Sequence, residues 1–190
     1  GQYEATNPCG EQWLLPYGSC NLGSISLTKF FKPSAPEAAD WMDRIDWEEF
    51  DTVVADCTRF LDDVVTINNY PIPEIHQRAI EERRIGLGVM GFADLLYRLG
   101  VRYGSEKSFE ISRTFSERLT QGAYRASELL VEEDGRAPFL AWEGSKPQVE
   151  GLAPRRNSHV STVAPTGTIS IIADCSGGIE PLFSLAFQRQ

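Results

Sequence analysis

The stretch RRIGLGVMGFADLLYRLG, residues 83–100, decides the fold. Ile85, Leu87, Val89 and Gly91 alternate with the two-residue period of a strand, and FADLLYRL then takes up helical spacing until Gly100 closes it. A strand that runs straight into a helix is the repeating unit of an α/β protein. The flanking sequence continues the alternation. Upstream, residues 24–30 read as a short strand. DWEEFDTVVADCTRFLDDVVTI reads as a helix that Asp46 caps, with Glu49 three residues on completing a capping box. Val53, Val54, Cys57, Phe60, Leu61, Val64 and Val65 fall on one face of it, which makes Cys57 a small buried apolar residue. NNYPIP breaks that helix, and EIHQRAIEERR forms another, with His76 in a structural or exposed position. Downstream, a long amphipathic helix covers residues 106–132, and HVSTVAP, rich in β-branched residues, reads as a further strand. The expected fold class is α/β with a parallel sheet or barrel. GLGVMG matches a dinucleotide fingerprint only superficially, because its third glycine is misplaced and no βαβ unit frames it.

Composition narrows the function. The length of 190 residues fits one domain, or a large piece of a bigger one. With 42% hydrophobic and 24% charged residues the chain is globular, and a formal charge of −9 argues against a nucleic-acid surface. No apolar run reaches the length of a membrane span, and no basic region followed by an apolar core marks a signal peptide, so a cytoplasmic location is expected. Cys9, Cys20, Cys57 and Cys175 form no CxxC pair, and His76 and His159 lie far from them in sequence, so no metal site is expected. The chain opens abruptly on GQYEATNPCGE and ends on SLAF followed by QRQ. Both ends read as cuts through a larger protein.

Two segments carry chemistry. NPCGE places Asn7, Cys9 and Glu11 on alternate positions, between Pro8 and Gly10. In an extended segment these three side chains share one side, offering a substrate an amide, a thiol and a carboxylate. Pro8 and Gly10 favour a tight loop over a regular strand, and a polar turn with a buried cysteine is the plain alternative. The second segment is PTGTIS, comprising Pro165, Thr166, Gly167, Thr168, Ile169 and Ser170. It follows the HVSTVAP strand and leads into a short helix, so free backbone N–H groups and hydroxyls suit a phosphate. No GK[ST] follows, so it is not a Walker A loop. Nucleophilic cysteine catalysis is disfavoured for Cys9, since neither histidine lies in either motif. The neighbouring Glu11 carboxylate also opposes thiolate formation. A thiol kept protonated beside a carboxylate suits hydrogen-atom chemistry.

NPCGEQWLLPYGSCNLGSISL, RRIGLGVMGFADLL and APTGTISIIADCSGGIEPLFSLAF together resemble the catalytic barrel of the large ribonucleotide reductases. NPCGE with SCNLGSI soon after it, and APTGTIS later, are most similar to the adenosylcobalamin-dependent (class II) branch. The resemblance covers nearly the whole chain. It implies part of a ten-stranded α/β barrel, with residues 1–190 as its C-terminal portion and the N-terminal half missing. By that resemblance Cys9, on a central finger loop, becomes the thiyl radical that takes the ribose 3′ hydrogen. Glu11 takes the 3′-hydroxyl proton, Asn7 hydrogen-bonds the sugar, and residues 165–170 hold the phosphates. Cys20 corresponds to one member of the redox pair that forms a disulfide as the 2′-hydroxyl leaves as water. Cys57 and Cys175 match no catalytic position, and residues 177–181 read as active-site scaffold.

The implied cofactors are adenosylcobalamin and a dithiol reductant. The implied partners are a ribonucleotide, the remaining part of the barrel, and a thioredoxin or glutaredoxin-like protein. The partner of Cys20, the specificity site and most cobalamin contacts are expected to lie outside these residues, so the 190 residues alone are expected not to turn over. The competing readings are a metal-radical (class I) reductase large subunit, a glycyl-radical lyase, and a non-catalytic nucleotide-binding fragment.

Overall fold

The computed structural model describes residues 3–37, 39–182 and 184, so all of the SLAF ending except Ser184 lies outside the described residues. The chain opens with a hairpin in which β1 (Ala5–Thr6) runs antiparallel to β2 (Trp13–Leu14). The centre of the fold is a parallel pair, β3 (Asn21–Ser26) and β4 (Ile85–Met90), with Asn21 opposite Ile85 and Ser26 opposite Met90. Between them run α1 (Trp47–Ile67) and α2 (Pro73–Glu82); α3 (Phe92–Leu99) and α4 (Glu106–Glu132) follow β4. The loop after α4 contains the short α5 (Lys146–Val149), and α6 (Ile169–Ile172) lies near the end. The mixed α/β class is therefore as expected, and GLGVMG lies largely within β4, the closing strand of the β3–α1–α2–β4 unit, not at the strand-to-helix turn that opens one.

Several boundaries differ from expectation for physical reasons. The strand expected at residues 24–30 begins at Asn21 and stops at Ser26, and residues Leu27–Phe30 form one 3₁₀ turn. In that turn Leu27 and Phe30, three residues apart, both reach the core, at 0% and 4% exposure. Asp46 caps α1 by accepting from the Glu49 N–H at 3.2 Å. Its own N–H goes to Phe30 O at 2.8 Å, so the capping box is only half made. On α1 the buried face is Phe50, Val54, Thr58, Leu61, Asp62 and Val65; Phe60, expected inside, is 66% exposed. Cys57 packs partly buried against the core, and His76 is exposed, stacked on Tyr70. Phe50 meets Phe30 and Phe115 edge-on, with ring centres 5.2 and 5.3 Å away, and joins α1 to α4.

HVSTVAP lies beside β4 without forming a continuous strand. Leu87 N–H donates to Val160 O at 2.9 Å and Thr162 N–H to Leu87 O at 3.0 Å, which gives one parallel bridge, Leu87 to Ser161. Two residues earlier, Ile85 N–H takes His159 O at 3.0 Å where an unbroken ladder would take Ser158 O. The register slips by one residue and the ladder ends. Gly88 is what lets this segment approach, since a Cβ there would lie 2.5 Å from the Thr162 carbonyl oxygen. Packing against residue 162, rather than a dinucleotide, accounts for this glycine. Gly88→Ala is expected to lower stability by about 1–3 kcal/mol, read as a lower denaturation midpoint of the complete polypeptide.

Beneath the sheet Asp62, at 0% exposure, accepts from Arg83 Nε at 2.7 Å and Asn157 Nδ2 at 3.0 Å. Arg136 and Arg156 reach its other oxygen at 2.9 and 3.3 Å. This cluster ties α1 to the residues entering β4 and to those entering the 159–162 segment.

Candidate active site

The β1–β2 hairpin turns through residues 7–12. Gly10, at φ 80°, donates its N–H to Asn7 O at 3.0 Å, and Asn7 Oδ1 accepts from the Gln12 N–H at 3.1 Å. The segment is thus a closed loop rather than an extended one, which leaves Pro8, Cys9 and Gly10 exposed at its tip. Cys9 and Glu11 both line a cavity of about 320 Å³, with Leu22, Gly23 and Ser24 of β3 on one wall and residues 164–169 on the other. Asn7 does not line it, and its side-chain oxygen Oδ1 helps to close the loop. The alternation read from the sequence therefore brings two of its three side chains together.

One carboxylate oxygen of Glu11, Oε2, is buried and has no hydrogen-bond partner. Buried carboxylate oxygens are ordinarily satisfied, so this one marks a place for a donor from outside the chain. The Glu11 backbone is fixed by Thr162, whose hydroxyl donates to its carbonyl at 3.2 Å. The next residue, Gln12, is 2% exposed and clamps the hairpin to the sheet. Its Nε2 donates to Ser161 O at 3.5 Å, and its Oε1 accepts from Arg84 at 3.4 Å. Sequence reading missed Gln12, Arg84 and Thr162, since nothing in their local spacing shows that three distant segments converge.

Cys20, just ahead of β3, is half-buried, with its thiol 3.5 Å from Asn21 O. Burial pushes this thiol up to about 12; Arg84 pulls the other way, and the Glu11 and Glu82 carboxylates push it further up. At neutral pH it is a protonated thiol in the field of Glu11.

The residues of the 165–170 turn divide between scaffold and site. Thr166 adopts φ 56° and is 7% exposed, and its hydroxyl accepts the Gly178 N–H at 2.7 Å. Gly177 and Gly178 pack directly under the turn: a Cβ on either would lie 3.1 Å from Pro165 O and 2.8 Å from Ala164 O respectively. Ser170 is buried and does not line the cavity. Of the three hydroxyls expected to face an anion, Thr168 stays open. The N–H groups of Gly167 and Thr168 have no partner among the described residues, and a Cβ on Gly167 would meet nothing within 4 Å. Because α6 has only four residues, these amides rather than a helix dipole supply the positive potential. A second cavity, about 350 Å³ between β4 and α4, is lined by Leu27, Phe92, Phe115 and Leu119 and contains no cysteine or carboxylate.

A thiol and an unpaired carboxylate facing open amides across one cavity agree with comparison to known proteins. The description "Ribonucleotide reductase, barrel domain" matches residues 1–153 and 149–190. The chain belongs to this family. It is 47% identical, over its whole length, to the vitamin B12-dependent ribonucleoside-diphosphate reductases of Mycobacterium tuberculosis and of Thermoplasma acidophilum. It is 32% identical, over 90% of its length, to the ribonucleoside-diphosphate reductase subunit alpha of Chlamydia pneumoniae. The chain spans about a quarter of the length of the B12-dependent relatives, 25% and 23%. Among the described residues of this ribonucleotide reductase domain, no helix is long and apolar enough to cross a membrane.

Proposed function

We propose that these residues are the C-terminal portion of the catalytic barrel of an adenosylcobalamin-dependent reductase that converts ribonucleoside diphosphates to 2′-deoxyribonucleotides in the cytoplasm. The observation that carries the reading is the buried, unpartnered Glu11 Oε2, in one cavity with the Cys9 thiol and the open amides of residues 167 and 168. A ribonucleotide fits this arrangement from end to end. Its phosphates take the N–H groups of Gly167 and Thr168 and the Thr168 hydroxyl, and its ribose lies between Cys9 and Glu11. In the proposed chemistry the Cys9 thiyl radical removes the 3′ hydrogen while Glu11 accepts the 3′-hydroxyl proton. The 2′-hydroxyl leaves as water with a proton from one thiol of a pair formed by Cys20 and a partner thiol outside these residues. The pair supplies two electrons and the hydrogen that ends on C2′ as it becomes a disulfide. Cys9 and Glu11 then return the 3′ hydrogen and the 3′-hydroxyl proton, which regenerates the thiyl radical. Asn7 stands outside the cavity lining, and its Nδ2 group, unlike Oδ1, is not used in the loop and is left to hydrogen-bond the sugar. A thioredoxin or glutaredoxin-like dithiol would restore the Cys20 pair.

Adenosylcobalamin is supported by the names of the relatives at 47% identity, against 32% for the subunit alpha relative. When bound it supplies the radical chemistry that oxidises Cys9. The cavity beside Cys9, about 320 Å³, suits a sugar with its phosphates and is too small for a corrin ring. The cofactor would therefore be held by polypeptide outside these residues. β3, β4 and the 159–162 segment would be strands of the ten-stranded barrel, with the Cys9 hairpin as its finger loop. Leu22, Val163, Ile171 and Ile172, between 44% and 79% exposed, offer the apolar surface that the remaining barrel would cover. The 190 residues alone are expected to be inactive.

The test is Glu11→Gln in the complete polypeptide. The amide keeps the shape but cannot take a proton, so kcat is expected to fall by about 10²–10⁴. A near-normal kcat would assign the proton transfer elsewhere.

A further inference from the structure

A third cavity lies on α4, remote in sequence from the Cys9 hairpin. Tyr124, Arg125, Lys146, Pro147, Leu152 and Arg155 contribute to its lining, and its volume is about 490 Å³. Arg155 is 7% exposed, and its guanidinium lies over the Tyr124 ring, 4.2 Å from the ring centre. Its Nε is buried without a hydrogen-bond partner, and no carboxylate among the described residues pairs with it. The carboxylates lining the same cavity are already committed, Glu128 to Arg125 at 3.3 Å and Glu150 to Lys146 at 3.6 Å. A buried guanidinium nitrogen without a hydrogen-bond partner is unfavourable, and the Tyr124 face offsets only part of that cost. Such a group persists where something else completes it. In a chain of formal charge −9, three lining cations against two lining carboxylates make this a locally positive spot.

We propose that this cavity binds a small organic anion, a phosphate- or carboxylate-bearing metabolite. Its oxygens pair with Arg155 and Lys146, and its body packs against Tyr124, Pro147 and Leu152. The planar guanidinium fork suits two oxygens of such a group, and the volume suits a ligand of metabolite size. The site is independent of the reductase reading.

The test uses the complete polypeptide, titrated calorimetrically with inorganic phosphate and with citrate at constant ionic strength. At least one probe is expected to show an equivalent of saturable binding that Arg155→Met weakens by about tenfold or more and Arg155→Lys partly restores. Lys146 is 84% exposed in its side chain, so Lys146→Ala leaves packing intact. It is expected to weaken the same equivalent by about threefold, and it carries the test if Arg155→Met fails to fold. Three results overturn the proposal: no saturable binding of either probe, binding that neither substitution changes, or a carboxylate from the rest of the polypeptide paired with Arg155 in the complete structure.

Discussion

Cys9→Ser in the complete polypeptide is expected to lower deoxyribonucleotide formation by at least about a thousandfold while leaving the fold intact. The two halves of this expectation have separate causes. A serine O–H bond is far stronger than a thiol S–H bond, so the hydroxyl cannot take over hydrogen-atom transfer. The loop that holds position 9 is closed by Gly10 N–H to Asn7 O at 3.0 Å and Gln12 N–H to Asn7 Oδ1 at 3.1 Å, neither of which involves the Cys9 side chain. Cys9 is exposed at the tip, so removing its sulfur leaves no cavity. An unchanged melting temperature with lost turnover is the expected pair of results. Substantial remaining turnover would remove Cys9 from the chemistry.

Asp62→Asn is expected to be the most damaging substitution away from the active site. Burial pushes the Asp62 carboxyl up, but the Arg83 hydrogen bond and charge, the Arg156 charge and the Asn157 amide outweigh it and hold the carboxyl below the ordinary carboxylate range. Removing the charge leaves Arg83, 3% exposed in its side chain, with Arg136 and Arg156 and no shared counter-ion. The expected loss is about 3–5 kcal/mol, measured by denaturant unfolding of the complete polypeptide. Asp51→Asn is the control, because its pair with Arg118 is 46% and 40% exposed and should matter by less than about 1 kcal/mol. The sign of the pH dependence follows from the lowered carboxyl. The Asp62 contribution is fully present above the unfolded-state value, about 4, and is lost as pH falls through the lower folded-state value. The variant should therefore lose less stability on acidification than the parent. Equal stability of the two proteins at neutral pH would contradict a structural role for the cluster.

Much of this architecture is legible in sequence because local rules and burial agree. Alternation gives β4, Gly100 ends α3, and the helical spacing of residues 106–132 gives α4 to the residue. Legibility fails where distant segments decide. Phe60 looks like a core residue, yet it faces outward because Asp62 turns inward to three arginines that are far from it in sequence. HVSTVAP has strand propensity, but a one-residue slip against β4 shortens its ladder. At the site, NPCGE and PTGTIS can be read as chemistry, and Cys9, Glu11, Gly167 and Thr168 meet around one cavity. The sequence does not show that Asn7 and Thr166 commit polar atoms to shaping their own loops. Nor does it show that Gln12 and Arg84 hold the hairpin in place.

The most direct test of the proposed reductase is product formation by the complete polypeptide from a ribonucleoside diphosphate and a dithiol, with and without adenosylcobalamin. The predicted result is 2′-deoxyribonucleotide only when adenosylcobalamin is present. Equal product without it would contradict the cobalamin assignment, and no product with it would contradict the reductase itself.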